Sequence, residues 1–348
     1  MGRDLWMRPY GRFYFLPKFL ADFGHDVWVH LLDYGRRDSF DRWEKGVRWI
    51  STSLLHWNPT EYGFRSLRLA KEMRADFVVG CSDIYFGLSA VWIKSKIGVM
   101  AIIDAYDNFE SYIPLAKPLH LLWRAAVREA DLVTAAGPNL AELLDSIRET
   151  SSAVVVPMAA DPDFRPTDIR NARKKLGFSI NEKFIGYFGS INRSRNVGEL
   201  FDAYSRIRNQ ERDVKLLLSG NISKRMTLRS GIEYLGYVED KMMPDLLNSV
   251  DVVAVTVAPT NFGNYSYPVK LYEAIACERP VVATKTPATQ WILRNQDGWL
   301  VNPGDVDQLS RKLAAAIGTN SLKKEPIPHA STWDISARIL EKSLESLS

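Results

Sequence analysis

What most constrains the fold of this chain is a rhythm in it. Short, continuous runs of Val, Ile and Leu recur, each followed by a segment of helical period. In the first half the runs are "VWVHLL" (27–32), "FVVG" (77–80), "VMAIID" (99–104), "LVTAAG" (132–137) and "AVVVP" (153–157). In the second half they are "FIGYFG" (184–189), "KLLLSG" (215–220), "IEYLG" (232–236), "DVVAVT" (251–256), "PVVAT" (280–284) and "GWLV" (298–301). A strand with one wet face alternates polar and apolar residues, and these do not. Unbroken apolar runs are the mark of parallel strands covered on both faces. Their alternation with helices predicts doubly wound α/β domains with parallel sheets.

The chain is 348 residues long, enough for two such domains. The Pro- and Asp-rich "PMAADPDFRPTD" (157–168) separates a strand from a new helix. We therefore expect a first domain over 1–160, a second over 161–330 and a terminal helix over 331–348. The first domain has an oddity: it opens on a helix, "RFYFLPKFLADFGHD", with almost no chain for a strand before it. Either the start is truncated or "DLWM" (4–7) replaces that strand.

Composition excludes several functions. Apolar content of 46% and charge of 25% are those of a globular protein. A net charge of +4 gives no case for nucleic acid, yet suits a polyanionic ligand or an anionic membrane surface. Cys81 and Cys277 lie far apart in apolar surroundings, with neither disulfide nor metal-ligand spacing, as expected of buried thiols in a reducing cytoplasm. "MGRDLWMRPYGRFYF" lacks the apolar core of a secretory signal. The most apolar region is broken by Asp83, Lys94 and Lys96, short of the ~18 residues a span needs.

Two stretches of the second half carry chemistry. In "YFGSINRSRNVGELFDAY" (187–204) a strand ends at Gly189, and Arg193 and Arg195 follow just before a helix. Exposed amides, a helix N-terminus and guanidinium forks suit phosphate oxygens. In "YSYPVKLYEAIACERPVVAT" (265–284) Pro268 fits a first helical turn, with Asn264 or Ser266 as cap. Lys270 would stand in that turn, where a cation opposes the helix dipole unless an anion is bound. Glu273 follows one turn later, and a simple i,i+3 ion pair with Lys270 is the plainer alternative.

The two stretches together resemble family 4 glycosyltransferases, whose GT-B fold sets two Rossmann-like domains across a cleft. "VVVPMAADPDFRP" resembles the linker pattern of that family. "GSINRSRNVGELFDA" resembles its "GRL…KG…LI.A" signature, with Arg195 at the lysine position. "YPVKLYEAIACERPVVAT" resembles "P.KL.EYMA.G.PVVAT". The resemblance implies that Arg195 and Lys270 bind a donor diphosphate, with Arg193 nearby. It implies that Glu273 accepts from the ribose and that the backbone at Tyr237 and Val238 meets the base. The loop from Gly263 through Asn264, Tyr265 and Ser266 would approach the sugar. Tyr265 stands where the family often has an acid, Ser190 where it often has Arg, and Glu278 where it has Gly.

The first domain matches more loosely, through "LPKFLADFGHDVWV" against "L…LA..GH.V.V". His25 there reads as a helix cap. "AIIDAYDNFESY" (101–112) ends a strand with Asp104, Asp107 and Glu110, and Asp107 is the candidate for acceptor contact or proton transfer, a capping carboxylate being the alternative. "RWEKGVRWISTSLLHW" (42–57) reads as core packing beside a basic face, and in a second reading as a monotopic membrane face.

The resemblance thus implies a cytoplasmic, retaining, metal-independent glycosyltransferase, membrane-associated in that second reading. It would use a UDP- or GDP-sugar and a glycan or lipid-linked acceptor. A catalytically silent GT-B binding partner and a sugar-nucleotide epimerase are the alternatives.

Overall fold

The structure, a computed structural model, describes residues 9–35, 38–53, 59–148, 152–192, 195–211, 213–224, 227–317 and 331–347. The chain forms two compact units, Met1–Met158 with Thr332–Ser348, and Ala159–Ser331.

The first described element of the first unit is α1 (Arg12–Asp22), entered through Gly11 at φ 70°. Strand β1 (Val27–Asp33) follows, then β2 (Asp41–Glu44) and β3 (Val47–Ser53). β3 pairs parallel with β1 and antiparallel with β2, so these three make one small sheet. Within 42–57, read from sequence as core packing beside a basic face, the β2–β3 hairpin was not foreseen. Lys45 (φ 49°) and Gly46 (φ 78°) make its two-residue turn, whose left-handed backbone matches strand twist. Alternation then sorts the tryptophans. Trp49 is 1% exposed and stacks on Tyr14 of α1 at 5.5 Å, while Trp43 is exposed. Trp57 lies outside the described residues.

Helix α2 (Pro59–Glu72) leads to β4 (Phe77–Cys81), α3 (Ile84–Ile97), β5 (Met100–Ala105), α4 (Lys117–Glu129), β6 (Leu132–Ala135), α5 (Pro138–Arg148) and β7 (Val154–Val155). The sheet β4-β5-β6-β7 is wholly parallel. Helix α3 shows how local sequence sets its ends. Asp83 accepts from the Tyr85 and Phe86 amides at its start, and Gly98 closes it at φ 73°. Helices α3, α4 and α5 pack in succession, side by side.

A buried ion pair ties the unit together. Arg12 Nε and a terminal nitrogen donate to the two Asp104 oxygens at 2.8 and 2.6 Å. Its other nitrogen donates to the Val156 carbonyl at 2.7 Å. The Thr134 hydroxyl also donates to Asp104. Asp104, expected at a cleft edge, is instead 3% exposed and fully engaged. A cavity of about 360 Å³ lies in this unit between β1 and β4. Asp104 and His25 line it, but Asp107 and the residues expected at the donor site do not.

The second unit runs α6 (Ile169–Leu176), β8 (Lys183–Phe188), α7 (Val197–Gln210), β9 (Val214–Ser219), β10 (Ile232–Tyr234), α8 (Met243–Ser249), β11 (Val252–Val255), α9 (Val269–Ala276), β12 (Val281–Thr284), α10 (Pro287–Ile292), β13 (Leu300–Val301) and α11 (Val306–Ala316). Its sheet is ordered β10-β9-β8-β11-β12-β13, every neighbouring pair parallel. The first strand is central, and the chain winds outward one way and then the other. The strand order therefore reverses between β8 and β11, where such sheets bind ligands beyond their carboxyl ends. Ile185, Tyr187, Leu216, Leu218 and Val252 pack with α7 and α11 as the core on one face.

The last helix, α12 (Trp333–Glu345), belongs to the first unit. Trp333 is 1% exposed and stacks on Phe15 of α1 at 6.2 Å. The Ser336 hydroxyl donates to the Pro157 carbonyl. His25, expected to cap α1, pairs with Glu341 of α12 at 3.0 Å instead. The end of α1 is closed by backbone, with the His25 amide donating to the Leu20 carbonyl. Among the described residues no helix is long and apolar enough to cross a membrane.

Candidate functional site

The reversal point of the second sheet is where the expected residues gather. At the end of β8 the chain turns through Gly189 at φ 134°, and at the end of β9 through Gly220 at φ 128°. The two turns touch: a Cβ on Gly220 would collide with the Gly189 backbone. The Gly189 amide donates to the Ser219 carbonyl at 2.7 Å. Only glycine gives both this conformation and this approach.

Over the Gly189 turn lies the amine of Lys270, so close that a Cβ on Gly189 would overlap Nζ. The same amine sits 4.7 Å above the ring of Tyr187, a residue with no exposed surface. Lys270 is thus aimed inward, across the ends of β8 and β9. Its pKa is lowered to about 7, first by burial, then by the positive field of Arg195. Glu273, one turn along α9, moves the opposite way, to about 8, through burial and the nearby carboxylate of Asp161. An ordinary exposed Lys–Glu pair would hold both charges firmly; burial weakens both here.

Helix α9 begins at Val269 with Pro268 as its N-cap. Neither Asn264 nor Ser266 caps it, contrary to expectation, and its first turn has no acidic residue. Asn264 and Tyr265 are spent in a 3₁₀ turn, Gly263–Tyr265, with the Asn264 amide donating to the Thr260 carbonyl. Ser266 is buried. The positive end of the helix dipole and Lys270 thus stand together without a carboxylate cap.

Arg195 precedes α7, whose first turn is entered through Asn196 in the left-handed conformation. Thr256, just past β11, donates its hydroxyl to the Arg195 carbonyl at 2.7 Å. The guanidinium lies 4.9 Å over the Phe262 ring. Arg193 lies outside the described residues. Tyr237 and Val238 follow β10, and Gly236 before them accepts from the Gly220 amide at 2.9 Å. Tyr237 is exposed, its hydroxyl donating to Asp240. Arg195, Lys270, Glu273 and the Gly189 turn thus gather at the reversal point, and Gly236 ties the Tyr237 loop to the same turns. Tyr187 as floor, Phe262 as platform and Asp161 and Asp240 as neighbours of Glu273 were missed. No local pattern marks them, because each is placed by the sheet.

In the first unit Asp107 is 8% exposed and accepts from the Tyr112 hydroxyl at 2.6 Å. The Tyr106 hydroxyl lies 3.2 Å from that of Tyr112, placed to donate to it. Glu110 is held by two bonds from Arg124. Of the three acids grouped by sequence, two are therefore committed to arginines, and Asp107 pairs with tyrosine.

The Gly189 turn gives a direct test. Gly189→Ala forces an L-residue into the left-handed region and displaces the Lys270 amine. It is expected to cost about 1–3 kcal/mol, read as a lowered melting temperature.

Comparison with known proteins bears on this arrangement. Residues 182–318 match the family model described as "Glycosyl transferases group 1". Residues 18–159 match that of a "Glycosyl transferase 4-like domain". The chain is 19% identical over 342 residues to an alpha-monoglucosyldiacylglycerol synthase of Streptococcus pneumoniae, covering 90% of this chain and 76% of that protein. It is 29% identical over 182 residues to a phosphatidyl-myo-inositol mannosyltransferase of Mycobacterium leprae, covering 50% of this chain and 46% of that protein. Among solved structures it resembles a sucrose-phosphate synthase of Thermosynechococcus elongatus, with TM-score 0.76, 14% identity and coverage of 100% and 94%. It also resembles the Anabaena protein HepE in complex with UDP, with TM-score 0.71, 16% identity and coverage of 98% and 96%.

Proposed function

As this chain belongs to the group 1 glycosyltransferases of the GT-B fold, we propose that its second unit binds a nucleotide-diphospho sugar at the β8/β11 reversal point. The observation that carries the reading is the Lys270 amine held over the Gly189 turn, beside Arg195 and the uncapped start of α9. Two cationic groups, a helix N-terminus and a glycine turn converge where a diphosphate would lie. Glu273, one turn deeper, would accept from ribose hydroxyls. The backbone at Tyr237 and Val238 would meet the base, and the Gly263–Ser266 loop the sugar. UDP is the favoured nucleotide, on the likeness to a UDP-bound structure.

The proposed chemistry is transfer with retention and without a required metal, as the family resemblance implies. When the sugar leaves, charge develops on the diphosphate. Fixed cations and amides aimed at that charge stabilise the transition state without reorganising. Asp107 is proposed for acceptor contact or proton transfer, its carboxylate oriented by Tyr112. The acceptor proposed is a lipid-linked or glycan hydroxyl. Two relatives carry lipids in their names, one as a synthase of a glucosyldiacylglycerol and one as a mannosyltransferase of phosphatidyl-myo-inositol.

The test is titration with UDP, followed by transfer assays with UDP- and GDP-sugars and proton NMR of the product anomer. Arg195→Ala is expected to weaken UDP binding by about 10- to 100-fold, the worth of one charge-assisted contact. Unchanged UDP affinity in that variant overturns the assignment.

A further inference from the structure

Among the described residues of the second unit, three cations lie over aromatic rings, and they are not alike. Arg173 sits 4.9 Å over Phe184 and is also held by Asp251 at 2.7 Å. Its remaining donors go to carbonyls, those of Ser249 and Glu182 among them. Arg195 sits 4.9 Å over Phe262, and Lys270 sits 4.7 Å over Tyr187. Among the described residues neither of these two forms an ion pair with a carboxylate.

A carboxylate would hold Arg195 by taking up its N–H donors and cancelling its charge. The negative face of a ring attracts the guanidinium and leaves the whole charge in place. A cation that must still meet a second anion needs the latter kind of support. Arg173 has the former kind and is spent on the fold.

Both partners are fixed. Phe262 is half-buried in the loop after β11. The Thr260 amide donates to the Ala258 carbonyl at 2.8 Å, and the Asn264 amide to the Thr260 carbonyl at 2.9 Å. Gly263 packs so closely on the Ala258 carbonyl that a Cβ there would overlap it. The backbone of Arg195 is pinned at both ends, its amide donating to the Asn192 side-chain oxygen at 3.1 Å and its carbonyl accepting from Thr256. Among the described residues its side chain is left with the Phe262 ring.

The geometry points to Phe262 as a positioning residue, whose ring holds the Arg195 guanidinium at full charge for the donor diphosphate. It also makes that arginine one piece with the Gly263–Ser266 loop. The inference rests on the donor-site reading above and adds to it a residue that acts through Arg195.

The experiment is a cycle of UDP titrations on the full chain. It takes the wild type, Phe262→Leu, Arg195→Ala and the double variant, with Phe262→Met and Phe262→Tyr alongside. Leu and Met are apolar but carry no ring, and each is expected to weaken UDP binding by about 3- to 10-fold. Phe262→Tyr keeps the ring and should bind as the wild type does. In the Arg195→Ala background, Phe262→Leu should change UDP affinity by less than about twofold, because the group it acts through is gone. Melting temperatures are read beside the affinities. Three outcomes overturn the proposal. One is wild-type affinity in both ringless variants. Another is the same loss with and without Arg195, which assigns Phe262 to the fold of the loop alone. The last is failure of both ringless variants to fold. The donor-site reading fails separately, and takes this one with it, if the wild type binds no UDP or Arg195→Ala binds it unchanged. Weakened binding in Arg195→Ala with none in Phe262→Leu sinks the positioning role alone.

Discussion

Lys270→Ala is expected to reduce sugar transfer by about 10²- to 10³-fold, the usual cost of removing one preorganised group that stabilises transition-state charge. The pH dependence separates this role from simple packing. In the empty site the Lys270 pKa is about 7. A bound diphosphate favours the charged amine and raises that value, so UDP binding takes up a proton above pH 7. Affinity should then fall by about tenfold for each pH unit above 7, until the pKa of the bound state is reached. The slope should vanish in Lys270→Ala. A flat profile in the wild type would remove Lys270 from the diphosphate.

Stability follows the same groups. For Lys270 the unfolded chain holds more protons between about 7 and its ordinary 10.5, so its contribution rises with pH across that window. For Glu273 the folded chain holds more protons between 4.5 and about 8, so its contribution falls there. Together they place the least stable condition of the empty site between about pH 7 and 8. Thermal unfolding across pH should show that dip in the wild type, and UDP should fill it.

The second large effect lies far from the chemistry. Asp104→Ala leaves the Arg12 guanidinium buried without its counter-charge, and Arg12 is only 2% exposed. Breaking a buried pair from one side costs about 3–5 kcal/mol. Replacing both partners, as in Arg12→Leu/Asp104→Leu, should cost less than the sum of the single changes, because no uncompensated charge remains. Urea unfolding of the wild type, the two single variants and the double variant gives the comparison. A loss below about 1 kcal/mol in Asp104→Ala would mean water reaches the pair.

The contrast between these residues shows what the sequence could reveal. The strands of both parallel sheets were visible because burial on both faces writes itself as unbroken apolar runs. β2 and β3 were not, because β2 is mostly exposed and β3, though buried, mixes Arg, Ser and Thr with its apolar residues, so neither reads as an unbroken apolar run. The signal present was Lys45–Gly46 between alternating residues, a two-residue turn. Arg195, Lys270 and Glu273 stood out by residue type and spacing, but Lys270 meets Gly189 across 81 positions, and no local pattern encodes that. Asp104 shows the reverse failure. Beside Asp107 and Glu110 it looked like site chemistry, until Arg12, 92 positions away, claimed it. The expected caps of α9, Asn264 and Ser266, failed because Asn264 belongs to a turn of its own that Ser266 closes, and the helix starts after Pro268.

The placement of Trp333 has a consequence for the order in which the protein can be made. The second unit is one uninterrupted stretch and possesses all its strands before α12 is synthesised. The first unit takes α1 from before that stretch and α12 from after it, with Phe15 waiting for Trp333. The first unit is therefore completed only after the second has all its strands. A chain stopped before α12 would leave the side of α1 that Trp333 covers bare to the solvent, the kind of exposed apolar surface that makes partly folded chains aggregate.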